Sequence, residues 1–456
     1  MGRANEDARN VFSPFTIPNR IVSPLLTVDS FLRSTLLNHS IGIPKGKADM
    51  VRKLNYDDFS GATRPFRADA ELEDLEVEGE IPPELNGTFY RVMQDPYYPR
   101  DYYQSGAKTI PFDGDGSISA FRVAGGRCAF KQRYVLTERY VAERRAGRAV
   151  FGILKTPFSH HPCVRAVQDN TANTNVVVHA GRLLALSEQG PPYELDPNTM
   201  TTLGNTPFPG QLPKGAPYTA HPHVDPKTGE LVGYGYGWKG VESNDCTVWV
   251  LDKDGKKTFE RALTMPGNGF VHDCAIAVTV NYVKFKIDPQ AETDQLDDPE
   301  VLVDVPCEFP RTDERFLMRK SRYTFMDCFD PSAVTDPALL YRGLNCLARY
   351  DHQRKKLEVM SPGPGCLVQE PCFSARGPDA AEGDGFLITL VDNVPRERNE
   401  IVIQDTRDFQ TVVARVILPF RLRSAVHGNW VDAERIPATG PFIAPLPDLY
   451  THPAAA

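Results

Sequence analysis

The stretch HPHVDPKTGELVGYGYGW (residues 221–238) decides how this chain is read. Large and small residues alternate through LVGYGYGW with the period of a strand. Ahead of them stands DPKTG. There an Asp side chain can accept from backbone N–H groups, Pro fixes φ, and Gly tolerates the left-handed conformation, so the backbone reverses. The next run, DCTVWVLDKDGKKTFERAL (245–263), repeats the scheme with DKDG as its turn. The unit is therefore strand, Asp-centred turn, strand.

Moving outward, the same unit recurs. DLEVEGEIPPELNGTFYRV (74–92) reads as strand, Pro turn, Asn-Gly turn, strand, and GRLLALSEQGPPYELDPNTMTTLG (181–204) breaks at Gly-Pro-Pro and again at Asp-Pro. LNCLARYDHQRKKLEVM (344–360), GFLITLVDNV (385–394) and NEIVIQDTRDFQTVVARVIL (399–418) continue it. The 39 prolines and 34 glycines fall as punctuation between these runs. The pattern predicts an all-β fold. Many short strands at this spacing fit a sandwich, a barrel or a propeller, and hairpins of this kind resemble propeller blades of about 40–45 residues. No WD or kelch signature marks the repeat. Residues 1–65 read as an irregular arm with one helical candidate at Asp29–Leu37, and 66–456 as a single β domain. VLTERYVAERRAG (135–147) reads as a charged loop or helix inserted between strands.

Bulk composition narrows the function. Of 456 residues, 41% are hydrophobic and 24% charged, and the net charge of −8 gives no electrostatic case for nucleic acid. Nine cysteines without a CxxC read as reduced thiols in a cytoplasmic protein. The N-terminus lacks a secretory pattern, and no apolar run is long enough to span a bilayer. Peripheral contact with a membrane to collect a lipid stays open, and no obligate protein partner is implied.

Ten histidines are present. Most read as surface or capping imidazoles, including His352 in the turn YDHQRKK. Three stand apart. His221 lies where a loop enters a strand. His272 sits in FVHDCAIAVTVNYVKF (270–285), a polar pair inside an apolar run. His427, in LRSAVHGNWV, precedes a Gly that lets the backbone come close. Imidazole suits divalent iron, copper, zinc or nickel, and widely spaced histidines suit a site on the axis of a radial fold; satisfied core histidines are the plainer reading. Metal-bound histidines commonly give their other N–H to a carboxylate. Glu188, Glu308 and Glu370 stand in apolar, Pro-flanked settings where an unpaired carboxylate would be costly.

At these residues the chain resembles the carotenoid cleavage oxygenase family, in particular its fungal stilbene-cleaving branch. EVEGEIPPELNGTFYR, PFDGDGSISAFRV, FKQRYVLTERYVAERRAG, TANTNVV, LLALSEQGPPYELDP, TAHPHVD, FVHDCAIA, EFPR, QEPCF and VHGNWV resemble family blocks in family order, from about residue 70 to 440. The resemblance implies a seven-bladed β-propeller with a loop and helix cap over an axial non-haem Fe(II). Four histidines would hold the iron and three glutamates would orient them. His221 matches the first ligand, His272 the second and His427 the fourth, with Glu188, Glu308 and Glu370 as the outer carboxylates. His223 is then a neighbour. The implied chemistry is O2-dependent cleavage of a C=C bond in a small, hydrophobic, conjugated substrate, giving two carbonyl products. No second cofactor is implied, and no catalytic residue beyond the metal site.

Two departures stand out. The family's third histidine lies between the second and the EFPR-like block, yet only 36 positions separate His272 from Glu308 and they hold no His. An internal deletion is the expectation, with QAETDQLDDPE (290–300) as its joint and one or more blades incomplete. Stilbene-cleaving members also place a Lys before the first outer Glu and a Tyr upstream. The matching positions here are Ser187 and Leu154, which cannot ionise a phenol. The expected substrate shifts toward an apocarotenoid or another conjugated metabolite. The alternative is a catalytically impaired homologue that binds an apolar ligand or partner without turnover.

Overall fold

The computed structural model describes residues 64–98, 113–152, 159–188, 190–205, 208–240, 243–265, 282–284, 299–317, 319–334 and 343–445. Both the helical candidate at 29–37 and the run around His272 lie outside them. The described chain is mostly strand. It starts with β1 (Ala70–Leu72), β2 (Glu76–Gly79), β3 (Gly87–Asp95), β4 (Asp115–Ala124) and β5 (Arg127–Tyr134). Helix α1 (Glu138–Ala146) follows, the one α-helix among the described residues. Then come β6 (Asn175–His179), β7 (Arg182–Leu186), β8 (Tyr193–Leu195) and β9 (Thr202–Gly204). The opening stretch forms β10 (His223–Val224) and β11 (Leu231–Tyr236), joined to β12 (Asp245–Leu251) and β13 (Lys257–Thr264). After β14 (Tyr282–Lys284) and β15 (Glu300–Val303) run β16 (Cys307–Arg311), β17 (Tyr323–Cys328), β18 (Cys346–Asp351) and β19 (Lys356–Met360). The last are β20 (Cys366–Val368), β21 (Cys372–Ala375), β22 (Gly385–Asn393), β23 (Arg398–Asp405), β24 (Val412–Ile417) and β25 (Ala425–Asp432).

These strands make six antiparallel sheets. Three are simple four-stranded meanders, β6–β9, β10–β13 and β16–β19. The Asp turns behave as the sequence predicts: Asp225 Oδ1 accepts from Lys227 N at 2.8 Å, and Gly229 takes φ 72°. The first and last sheets exchange strands: β25 pairs with β3, and β2 pairs with β24. The remaining sheet, β14–β15, has two strands. Seven sheets were expected; the described residues form six, one of them short.

The core lies between neighbouring sheets. Phe89 and Phe121 of the first sheet pack on Phe386 and Ile403 of the last, and Val92 and Ile118 pack on Leu183 and Ala185 of the second sheet. Leu184 and Leu186 meet Trp249 and Leu251 of β12. Phe325 and Leu347 meet Leu387 and Val402, while Val303 of β15 meets Met326 and Cys346. Among the described residues, no such cluster joins β10–β13 to β14–β15.

Helix α1 resolves the reading of 135–147. Thr137 caps its N-terminus by accepting from Tyr140 N at 3.0 Å, and Gly147 ends it at φ 67°. Arg139, fully buried, anchors it through Asp113 and Asp169, each at 2.7 Å. The eight described cysteines are free thiols. No helix among the described residues is long and apolar enough to cross a membrane.

Candidate metal centre

His427 lies in β25 and His221 two residues ahead of β10, 206 positions apart in sequence. The fold brings their rings to a centroid separation of 4.8 Å at an interplanar angle of 90°. An imidazole nitrogen about 2.1 Å from a metal puts its ring centre roughly 3.2 Å from that ion, so two imidazoles whose bonds to one ion are at right angles have ring centres about 4.5 Å apart. The observed centroid separation is close to that value.

Glu370, in the link from β20 to β21, stands behind His427. Its Oε1 is 3.1 Å from His427 Nδ1, and its Oε2 accepts from Gly428 N at 2.8 Å. A carboxylate on Nδ1 leaves Nε2 as the atom for a metal. Burial alone would raise the Glu370 pKa, but His427, Arg311 and the Gly428 N–H outweigh it and hold the carboxyl down at about 2. Gly428 is required sterically, since a Cβ there would sit 2.8 Å from Tyr90 O. The close approach expected after His427 is real, and the neighbour is β3.

Other candidates sort differently. Glu188 is buried and accepts from Tyr236 Oη at 2.9 Å. Ser187, also buried, donates to Asn170 Oδ1 at 2.9 Å. Glu308 faces solvent and has no side-chain hydrogen bond among the described residues. Across the ladder it pairs with Asp327, a buried acid whose Oδ1 also has no partner there. Burial, then Glu308 and Glu370, push the Asp327 pKa well up. His223 is exposed, as a mere neighbour should be. His352 is half-buried, with Nε2 3.0 Å from Thr324 Oγ1 of β17, while its turn is capped by Asp351 Oδ1, which accepts from Gln353 N and Arg354 N. His272 and Leu154 lie outside the described residues, among which no group of three or more His, Cys, Asp and Glu side chains is placed to hold a metal.

Sequence reasoning missed the residues around Glu370 and His427. Phe309, with φ 50°, presents its ring to His427 at 5.4 Å and 85°. Arg311 reaches Glu370 Oε1 at 3.2 Å and Asn429 Oδ1 at 2.6 Å. The block EFPR was visible, but nothing in it announces the register shift between Glu308 and Arg311.

The class follows from comparison of the whole arrangement. It is similar to that of the lignostilbene dioxygenase of Pseudomonas brassicacearum, with a TM-score of 0.76 and 30% identity over 82% of this chain and 98% of the other. A Synechocystis apocarotenoid oxygenase superposes with a TM-score of 0.65 at 25% identity, covering 81% and 97%. The family described as "Retinal pigment epithelial membrane protein" (RPE65) matches residues 63–285 and 277–432. The chain belongs to this family, the carotenoid oxygenases, and so to a group of oxidative cleavage enzymes. Resveratrol cleavage oxygenase 1 of Botryotinia fuckeliana is 34% identical over 82% of this chain and 86% of its own length. Isoeugenol monooxygenase of Pseudomonas nitroreducens is 31% identical over 84% and 99%. The Botryotinia alignment spans 482 positions, so about a hundred of them hold no residue of this chain.

Proposed function

We propose that this chain is built to cleave a C=C bond of a conjugated substrate with O2, using ferrous iron held by His221, His427 and His272. The seven-bladed ring with its axial site and cap is part of this reading. The observation that carries it is the perpendicular His221–His427 pair with Glu370 on the far nitrogen of His427. Iron, when bound, supplies the electrons that let O2 react with an alkene. The overall change balances without a reductant: one alkene and one O2 give two carbonyls. The protein's part is to fix the imidazoles. His427 donates from Nδ1 to an ionised Glu370, which fixes the tautomer and the direction of Nε2. Tyr236, on the sheet that follows His221, donates to Glu188 at the end of β7.

Relatives are named for resveratrol, lignostilbene, isoeugenol and apocarotenoid substrates. Ser187 supports a non-phenolic choice among these, because it carries no charge and its hydroxyl is engaged with Asn170. An apocarotenal fits better than a hydroxystilbene.

A second reading has its own support. The family match breaks into two segments that overlap at 277–285, and among the described residues sheet β14–β15 has two strands where its neighbours have four. We read this as omission of about a hundred residues between β14 and β16, including the third histidine. On that reading the chain binds an apolar ligand or partner without turnover. The test is iron content and product analysis side by side. The cleavage reading expects about one Fe(II) per chain, loss of that iron in His272→Ala, and aldehyde pairs from apocarotenals under O2. Iron retained by His272→Ala would overturn the site, and bound iron without product from any substrate would favour the second reading.

A further inference from the structure

The strand after the short sheet reaches across to the imidazole pair. Its ladder with β17 shifts register between Glu308 and Arg311, a bulge with one residue in the left-handed region. That residue is Phe309 at φ 50°, a conformation a bulky side chain adopts only when its surroundings demand it. The bulge turns two side chains toward β25: Phe309 sets its ring edge-on to His427, and Arg311 enters the space between Glu370 and β25.

Three of the four polar contacts of Arg311 fall on Glu370 and on Gly428 and Asn429 of β25. Nη1 donates to Glu370 Oε1 at 3.2 Å and to Gly428 O at 3.5 Å, while Nη2 donates to Asn429 Oδ1 at 2.6 Å and Glu314 Oε1 at 2.6 Å. Glu370 Oε1 is thus shared between Arg311 and His427 Nδ1, and Oε2 is taken by Gly428 N. Two donors besides the imidazole, Arg311 and Gly428 N, restrain the carboxylate from rotating, and through it they restrain the imidazole. Asn429 is itself pinned to Val176 O at 2.6 Å, which fixes the strand on the far side.

We propose that Arg311 is a positioning residue for the metal reading above: it clamps Glu370 and Asn429 on either side of Gly428 and so fixes the direction of His427 Nε2. The clamp works through Glu370 and never touches substrate. Its planar fork is required, because two acceptors lie at set angles and a lysine would satisfy one at a time.

Cobalt(II) titration of the full chain, followed by its visible absorption band alongside thermal melting, tests this. Arg311→Met is expected to lower cobalt affinity about 10–100-fold and to alter the band, as loss of partners behind a ligand does. Arg311→Lys should recover part of the affinity with a band still unlike that of the wild type. Arg311→Met with wild-type affinity and band overturns the inference, and so does a lowered melting point with cobalt binding unchanged, which would mark a structural residue only. Should Arg311→Met fail to fold, Arg311→Lys decides: wild-type affinity and band in that variant would equally overturn the clamp. A wild-type chain that takes no cobalt overturns the metal reading and this inference together.

Discussion

The sheets on the two sides of the molecule are built from similar sequence and end in different states. On one side β22 and β23 are buried almost throughout, because the last sheet packs against the first on one face and β16–β19 on the other. On the other side, β10–β13 is less covered, and β13 is exposed along nearly its whole length. Register places Val232, Val250 and Phe259 on a single face of that sheet, with Cys246 and Leu263. Val232 is 37%, Phe259 46% and Leu263 41% exposed, whereas Trp249 and Leu251, on the opposite face, are buried. Local pattern gives a strand, but burial depends on whether a neighbouring sheet arrives. Here no described sheet packs on that face, and in the next strand pair along the chain Val301 of β15 is likewise 54% exposed.

The contrast can be broken by substitution. Phe121→Ala, between the first and last sheets, should cost about 3–5 kcal/mol in urea unfolding, as large-to-small changes in a packed core do. A cost below 1 kcal/mol would mean that the closed side is not closed.

Asp327 gives a smaller effect with a defined sign. Its folded pKa is raised, so its contribution to stability is fully present below pH 3.8 and is lost as pH rises toward the folded value. Asp327→Asn removes that dependence. At pH 7 the variant should be more stable by about 1–3 kcal/mol, with the difference shrinking toward pH 4. Parallel urea midpoints from pH 4 to 7 for the two proteins would contradict this.

The smallest effect is expected on the open face, where Phe259→Ala should change stability by less than about 0.5 kcal/mol. A cost approaching that of Phe121→Ala would show that this face is covered in solution, and the comparison between the two sides would fail.

Much of this was legible in the sequence, for physical reasons. The hairpins at 221–263 could be read because turn chemistry and period-2 alternation are local properties. The helix at 138–146 was read less firmly, since its buried face is made by Arg139, Tyr140 and Glu143 and no apolar stripe announces it. His221, His427 and Glu370 could be named from resemblance and are together in space. Glu308 was grouped with them by the same resemblance and faces solvent opposite Asp327. Arg311 and Phe309 could not be found because their role depends on one bulge, and a register shift leaves no mark on residue type.

The exchange of strands between the first and last sheets has a consequence for how the protein is made. On the ribosome, β2 and β3 emerge early, but β24 and β25 are among the last strands synthesised. The last sheet cannot be completed until translation passes residue 417, nor the first until it passes residue 432. A nascent chain therefore carries two unfinished edges through most of its synthesis, and a stop codon placed just after β24 would remove His427 together with the seam that joins the first sheet to β25.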